Sequence, residues 1–121
     1  MAYPIAEENG SRVALVSRED VQIGSIPEAL DLMATVQYLG CDKMLLRKEQ
    51  LPEEFFRLTT GFAGELLQKF ATYRMKLAIT GDFQGYDSKS LRDFMYECNQ
   101  GSQVQFKPSE AEALEALHRL A

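Results

Sequence analysis

The chain has 121 residues and a mass of 13.7 kDa, which excludes a TIM barrel or a complete two-half dinucleotide-binding fold. Hydrophobic residues make up 45% and charged residues 26% of the sequence, which excludes wholesale disorder and fibrous repeats. The formal net charge of -5 argues against a protein that binds the phosphate backbone of nucleic acid. We therefore expect one globular domain without a nucleic-acid partner.

Targeting, disulfide and metal patterns are also missing from the sequence. No apolar run reaches the roughly 18 residues that span a bilayer, and no signal-peptide pattern opens the chain. Two cysteines, Cys41 and Cys98, are too few for a disulfide framework, and with His118 they are too few for a structural zinc site. We expect His118 to be a solvated residue near a helix end. The sequence predicts a reduced, cytoplasmic protein with no membrane partner, cofactor or metal.

The N-terminal part of the chain divides into a leader and the start of the domain. Residues 1–10 contain Pro4, two glutamates and an Asn-Gly pair, which predicts a flexible leader, with a single domain over residues 11–121. Residues 13–16 form a short apolar run typical of a buried strand, and residues 21–23 alternate as a second strand. These two strands should pair as antiparallel neighbours.

Strands and helices then alternate along the rest of the chain. The predicted helices are residues 25–40, 60–73, 90–101 and 109–120, and the strands are residues 43–47, 76–80 and 104–106. The order β-β-α-β-α-β-α-β-α has a helix long enough for a crossover between successive strands, and crossovers imply parallel pairing. We predict an α/β fold with a mixed, mostly parallel sheet of about five strands and four helices.

The helix starts differ in chemistry. Three of them carry a serine followed three residues later by an acid, the pattern of a capping box: Ser25 with Glu28, Ser90 with Asp93, and Ser109 with Glu112. The second helix begins with Thr59, Thr60, Gly61 and Gly64, and neither threonine has an acid at the matching position. Its amides are therefore open to an anion or a partner, at the edge of the sheet where sites usually form.

Structural readings of the same segment stay open. Thr59 or Thr60 can be an ordinary N-cap worth about 1 kcal/mol. Gly61 and Gly64 can serve only to let the helix lie close to the sheet. A third reading is one long helix over residues 53–73, with Gly61 inside it.

A small-molecule site is the rival hypothesis. Asp82 and Phe83 follow the fourth predicted strand and Glu49 follows the third, so two carboxylates fall at one edge of the sheet. Such a pair suits acid-base chemistry or oxygen ligation of a metal. The alternative is that Asp82 caps a turn and Phe83 packs under the loop.

From about Arg12 to Leu120, the chain resembles the bacterial family called domain of unknown function 4180. The segments that carry the resemblance are residues 29–35 (ALDLMAT), 41–44 (CDKM), 60–70 (TGFAGELLQKF) and 89–94 (KSLRDF). This family resemblance implies no established activity.

The element order is similar to that of STAS domains, the fold of bacterial anti-anti-sigma factors. Those proteins bind protein partners and are switched by phosphorylation of a hydroxyl that precedes a glycine at a helix start. Thr60 before Gly61 matches that place, whereas Leu58 stands where the STAS pattern has an aspartate. The resemblance implies a non-enzymatic regulatory or interaction module with a protein partner. Phe55 and Phe56 stand between polar residues; if exposed, they mark a partner or homodimer surface, and core packing is the alternative.

Overall fold

The computed structural model describes residues 3–120. The strands are β1 (Ile5–Glu8), β2 (Ser11–Ala14), β3 (Lys43–Arg47), β4 (Lys76–Thr80) and β5 (Val104–Lys107). The helices are α1 (Ile26–Tyr38), α2 (Phe62–Thr72), α3 (Lys89–Gln100) and α4 (Glu110–Arg119). The strands form one mixed sheet in the order β1-β2-β3-β4-β5, antiparallel between β1 and β2 and parallel in the other three pairings. The predicted α/β class and element order are confirmed.

The first pair of strands lies earlier in the chain than predicted. β1 falls inside the expected leader, of which Met1 and Ala2 lie outside the described residues. Asn9 and Gly10 join β1 to β2 with φ angles of 51° and 84°, the left-handed backbone that a two-residue hairpin turn needs. The Asn-Gly pair is therefore a hairpin signal, and interpreting it as part of a loose leader was wrong.

Residues 21–23, predicted as the second strand, have an irregular conformation. Ile23 is buried, and its amide donates to the carbonyl of Gln50 at 2.8 Å, so the segment packs against the loop after β3. The alternation of apolar residues that suggested a strand reflects a loop with one side against the core.

The two faces of the sheet are covered unequally. On the face covered by α1, α2 and α3, which we call the three-helix face, 23 buried residues form one apolar cluster. Within residues 3–120, α4 is the one helix that covers the opposite face, which we call the one-helix face. Its buried cluster has six members among the described residues: Val13, Leu15, Leu45, Ala78, Ala113 and Leu117. Right-handed crossovers between neighbouring parallel strands place successive helices on the same side, which accounts for the asymmetry.

The N-cap of helix α3 lies two residues before the predicted one. The hydroxyl of Ser88, and not that of Ser90, accepts from the amide of Leu91 at 3.2 Å. Asp93 then falls in the second turn, where it accepts from Lys89 at 2.7 Å. The caps of the other two helices are confirmed at the predicted serines: Ser25 in α1 and Ser109 in α4.

Candidate functional site

Buried polar side chains fix the loops at the carboxyl ends of the parallel strands, which we call the carboxyl edge. The side chain of Gln50 is fully buried, and its amide nitrogen lies 3.0 Å from the carbonyl of Val16 and 3.1 Å from that of Val21. The guanidinium of Arg47, at the end of β3, donates to the carbonyl of Ser17 at 2.8 Å. The loop after β2 is therefore held to the loop after β3, which gives this edge a defined shape.

Thr60 is exposed and lies immediately before helix α2. Its hydroxyl lies 2.8 Å from the carbonyl oxygen of Glu54 and 2.9 Å from that of Arg57, and can donate its one proton to either. The same oxygen accepts from the amide of Phe62 at 3.2 Å. The helix start that we expected to be open thus has one of its amides satisfied by Thr60 itself.

The other residues of this segment have distinct surroundings. Gly61 is the N-cap of α2 with a left-handed φ of 78°, a conformation that favours glycine. Thr59 and Gly64 are exposed. A Cβ added at Gly61 or Gly64 would meet no atom within 4 Å, so close packing against the sheet does not explain either glycine.

The reading of residues 53–73 as one long helix was wrong. Two 3-10 turns, Glu53–Phe56 and Leu58–Thr60, precede α2. The left-handed backbone of Gly61 then separates them from the helix, because a helix cannot continue through that conformation.

Asp82 has a local structural role. It is exposed, and its carboxylate accepts from the amide of Gln84 at 3.0 Å, which closes the turn after β4. Its backbone carbonyl accepts from the ammonium of Lys48 at 2.6 Å. In residues 3–120, no group of three or more His, Cys, Asp or Glu side chains is arranged to hold a metal ion.

Phe83 belongs to a cluster of half-buried aromatic rings at the carboxyl edge. We call Phe56, Phe83 and Tyr86 the edge cluster: the ring centroids of Phe56 and Tyr86 lie 5.3 Å apart, and Phe83 lies 6.4 Å from each. Phe106 of β5 packs edge-on beneath Phe83 at 5.4 Å. The ammonium of Lys48 lies 5.9 Å from the Phe83 centroid and 5.3 Å from that of Tyr86, within cation-π distance.

The edge cluster and Thr60 share one structural element. Phe56 belongs to the 3-10 turn Glu53–Phe56, and the carbonyl of Glu54 in that turn is one of the two acceptors near the Thr60 hydroxyl. The structure thus brings Thr60 and Phe83 into one continuous network of contacts, with Asp82 next to Phe83. Sequence reasoning treated the aromatic residues separately, since only the parallel register places the loops after β3 and β4 side by side.

Outside this edge, the structure describes the histidine and the two cysteines that the sequence analysis considered. His118 is half-buried and not fully solvated, and its Nδ1 lies 2.8 Å from the hydroxyl oxygen of Ser11. Cys41 and Cys98 are free thiols, and burial raises the pKa of both, which disfavours the reactive thiolate.

Residues 8–117 match the sequence model of a family described as Domain of unknown function (DUF4180). The chain belongs to this family. The match spans nearly the whole sequence and includes the carboxyl edge and the turn between β1 and β2. No curated protein matches the chain. Within the described residues, no helix is long and apolar enough to cross a bilayer.

Proposed function

We propose that this domain is an interaction module that docks a protein partner on the edge cluster. The observation that carries the proposal is the half-exposed stack of Phe56, Phe83 and Tyr86 with the Lys48 ammonium over its rings. Aromatic side chains on a rigid support provide large contact area at low entropic cost, which is why they are enriched in the cores of protein interfaces. The buried side chains of Gln50 and Phe55 supply that support.

The shape of the edge favours a protein over a small ligand. The surface hollows described for residues 3–120 have other linings, and the largest of them, about 610 Å³, lies between β1 and α4. Small-molecule sites are concave and bury most of their ligand. With its carboxylate engaged in a turn, Asp82 has a structural role already, so the small-molecule hypothesis has less support than docking of a protein.

Phosphorylation of Thr60 is the regulatory part of the proposal. A phosphate ester has no hydroxyl proton to donate, so the modified side chain loses its bond to the carbonyl of Glu54 or Arg57 and brings a charge of about -1.5 to -2 close to both oxygens. Repulsion would displace the turn that carries Phe56. The first amides of α2 would attract the phosphate, which adds a second reason for the segment to rearrange.

Site-specific photocrosslinking in cells tests the docking surface. Gln84 is exposed and adjoins Phe83, so a photoreactive phenylalanine in its place should form a discrete protein adduct. The same group at Tyr96, which is 67% exposed on α3, is the matched control and should not form that adduct. Tyr86→Ala and Thr60→Glu, each combined with the Gln84 crosslinker, should reduce the adduct at least fivefold.

Two results would contradict the proposal. One is a set of adducts at Gln84 that is identical to the set at Tyr96. The other is an adduct whose yield is unchanged by Tyr86→Ala in a protein whose circular dichroism shows native folding. If Tyr86→Ala removes the adduct and Thr60→Glu does not, docking stands and the phosphorylation switch is wrong.

A further inference from the structure

A second group of polar side chains lies at the opposite edge of the sheet, where β2 and β3 begin and α4 ends. The hydroxyl oxygen of Ser11 lies 2.8 Å from the ammonium nitrogen of Lys43 and 2.8 Å from Nδ1 of His118. Lys43 is 3% exposed and also donates to the carbonyl of Leu120 at 2.7 Å. Within residues 3–120, none of the salt bridges involves Lys43.

The direction of these hydrogen bonds follows from the donors and acceptors present. An ammonium can only donate, so Lys43 donates to the oxygen of Ser11. The described contacts of the Ser11 hydroxyl leave one acceptor for its proton, Nδ1 of His118 in the tautomer that carries its proton on Nε2. The chain of bonds therefore runs from Lys43 to Ser11 to His118, with a base directly in line with the serine proton.

We propose that Ser11 is a nucleophile that is acylated by small, uncharged carboxylic esters. The Ser11 oxygen forms a bond to the carbonyl carbon while its proton passes to Nδ1 of His118. The bond between the carbonyl carbon and the ester oxygen then breaks, and His118 returns the proton to the departing alcohol. Water, activated by His118 in the same way, hydrolyses the acyl-serine and releases the acid, so no other reactant is needed.

Lys43 and the surrounding hollow define the electrostatics and size of this site. The positive charge of Lys43, 2.8 Å from the Ser11 oxygen, favours loss of the serine proton to His118. A hollow of about 270 Å³ is lined by Ser11, Lys43 and His118 together with Asn9, Asp42 and Leu120. Its volume suits a short acyl chain, and the exposed carboxylate of Asp42 disfavours anionic esters.

Covalent labelling at a defined residue tests this inference. The full chain is incubated with p-nitrophenyl acetate, and separately with a fluorophosphonate, and the modified residue is located by peptide mass spectrometry. We expect one modification per chain, on Ser11. His118→Asn keeps a polar group near the hydroxyl but cannot act as the base, and should lower the labelling rate about 100-fold.

Further variants separate chemistry from folding. Ser90→Ala is the matched control: it removes an exposed hydroxyl on α3 and should leave the labelling rate unchanged. Lys43→Met should slow labelling in whatever fraction of the protein remains folded, as measured by the native amide proton spectrum. Labelling of Lys43 or His118 in place of Ser11, or equal rates in wild type and in folded His118→Asn, would overturn the proposal. So would the absence of any Ser11 adduct in the folded wild-type protein.

Discussion

The two faces of the sheet are held together by different kinds of interaction. On the three-helix face, 23 buried residues form a continuous apolar cluster that includes the fully buried rings of Phe55 and Phe70. On the one-helix face, six buried residues lie between α4 and the strands, and polar contacts hold both ends of that helix. The comparison shows that a helix with a small apolar contact can be positioned by directional bonds.

Those polar contacts lie at opposite ends of α4. At its start, Glu110 accepts from the guanidinium of Arg18 at 2.7 Å and from the hydroxyl of Ser17 at 3.3 Å. Near its end, Lys43 donates to the carbonyl of Leu120 at 2.7 Å, where a cation complements the negative end of the helix dipole. Hydrogen bonds are sensitive to distance and angle, so these contacts fix the register of α4 on the sheet more closely than apolar packing would.

The largest expected effect comes from making the same cavity on each face. Leu66 of α2 and Leu117 of α4 are both fully buried. We expect Leu66→Ala to lower the free energy of unfolding by about 3–5 kcal/mol and Leu117→Ala by about 2–3 kcal/mol, because Leu117 belongs to the smaller apolar cluster and its removal leaves fewer buried neighbours without a contact. Urea unfolding measures both values. An equal or larger loss for Leu117→Ala would show that α4 is packed as rigidly as the other helices.

The next largest effect is expected from removing the hydrogen bonds that Lys43 makes near the end of α4. Lys43→Met should lower the free energy of unfolding by about 1–3 kcal/mol, because it leaves the hydroxyl of Ser11 and the carbonyl of Leu120 without their buried donor. Hydrogen exchange should speed up in the last turn of α4 and remain unchanged in α2. Lys76→Met, at the more exposed start of β4, is the control and should change stability little. Unchanged exchange in α4 would mean that the hydrogen bonds of Lys43 do not hold the end of the helix.

A smaller effect is expected at the turn that supports the edge cluster. Thr60→Val removes a hydroxyl that accepts from the amide of Phe62, the first residue of α2, and bonds the preceding turn, so it should cost about 1 kcal/mol. Thr59→Val alters an exposed neighbour and serves as the matched control. Thermal unfolding and the fluorescence of the tyrosines report on stability and on the environment of Tyr86. Equal effects of the two substitutions would indicate that the Thr60 contacts contribute no net stability.

The sequence predicted the parallel strands better than the N-terminal strands. β3 and β4 match the prediction residue for residue, since continuous apolar runs bounded by helices leave few alternatives for the chain. β1 was missed because its two apolar residues, Ile5 and Ala6, are adjacent and are followed by the exposed Glu7 and Glu8, so no alternation marks the strand. In such a strand, the Asn-Gly turn is the main local signal, and it was interpreted as a loop.

The candidate sites depend on pairings that local patterns do not encode. Thr60 was singled out because its helix start differs from the others, a property of a single segment. The edge cluster needs the loops after β3 and β4 to lie next to each other, and the contact between Ser11 and His118 joins residues 107 positions apart in the chain. The pattern of residues within one helix or strand carries no information on contacts between residues far apart in the chain. These two groups of side chains could therefore be recognised only in the three-dimensional structure.

The smallest effect is the pH dependence of the contact at the start of α4. The hydrogen bond from Arg18 holds the pKa of Glu110 below 4.5, its ordinary value, against a smaller opposing effect of burial. Since this carboxylate has the lower pKa in the folded state, its contribution to stability is complete above 4.5 and is lost as the pH falls through the folded-state pKa. The difference in unfolding free energy between wild type and Glu110→Gln should therefore become smaller as the pH falls through the folded-state pKa of Glu110. This change should be smaller than the effects of the substitutions described before, because solvent screens the ion pair.

A charge-matched control separates this contact from the general loss of negative charge in acid. Glu97→Gln removes an exposed carboxylate on α3 and should give a stability difference from wild type that changes less with pH. Urea unfolding at a series of pH values measures all three proteins. If the difference in unfolding free energy between wild type and Glu110→Gln stays constant through the acid range, the ion pair with Arg18 does not stabilise the one-helix face. The contacts of Lys43, Ser11 and His118 and the apolar residues of α4 would then hold the helix on the sheet.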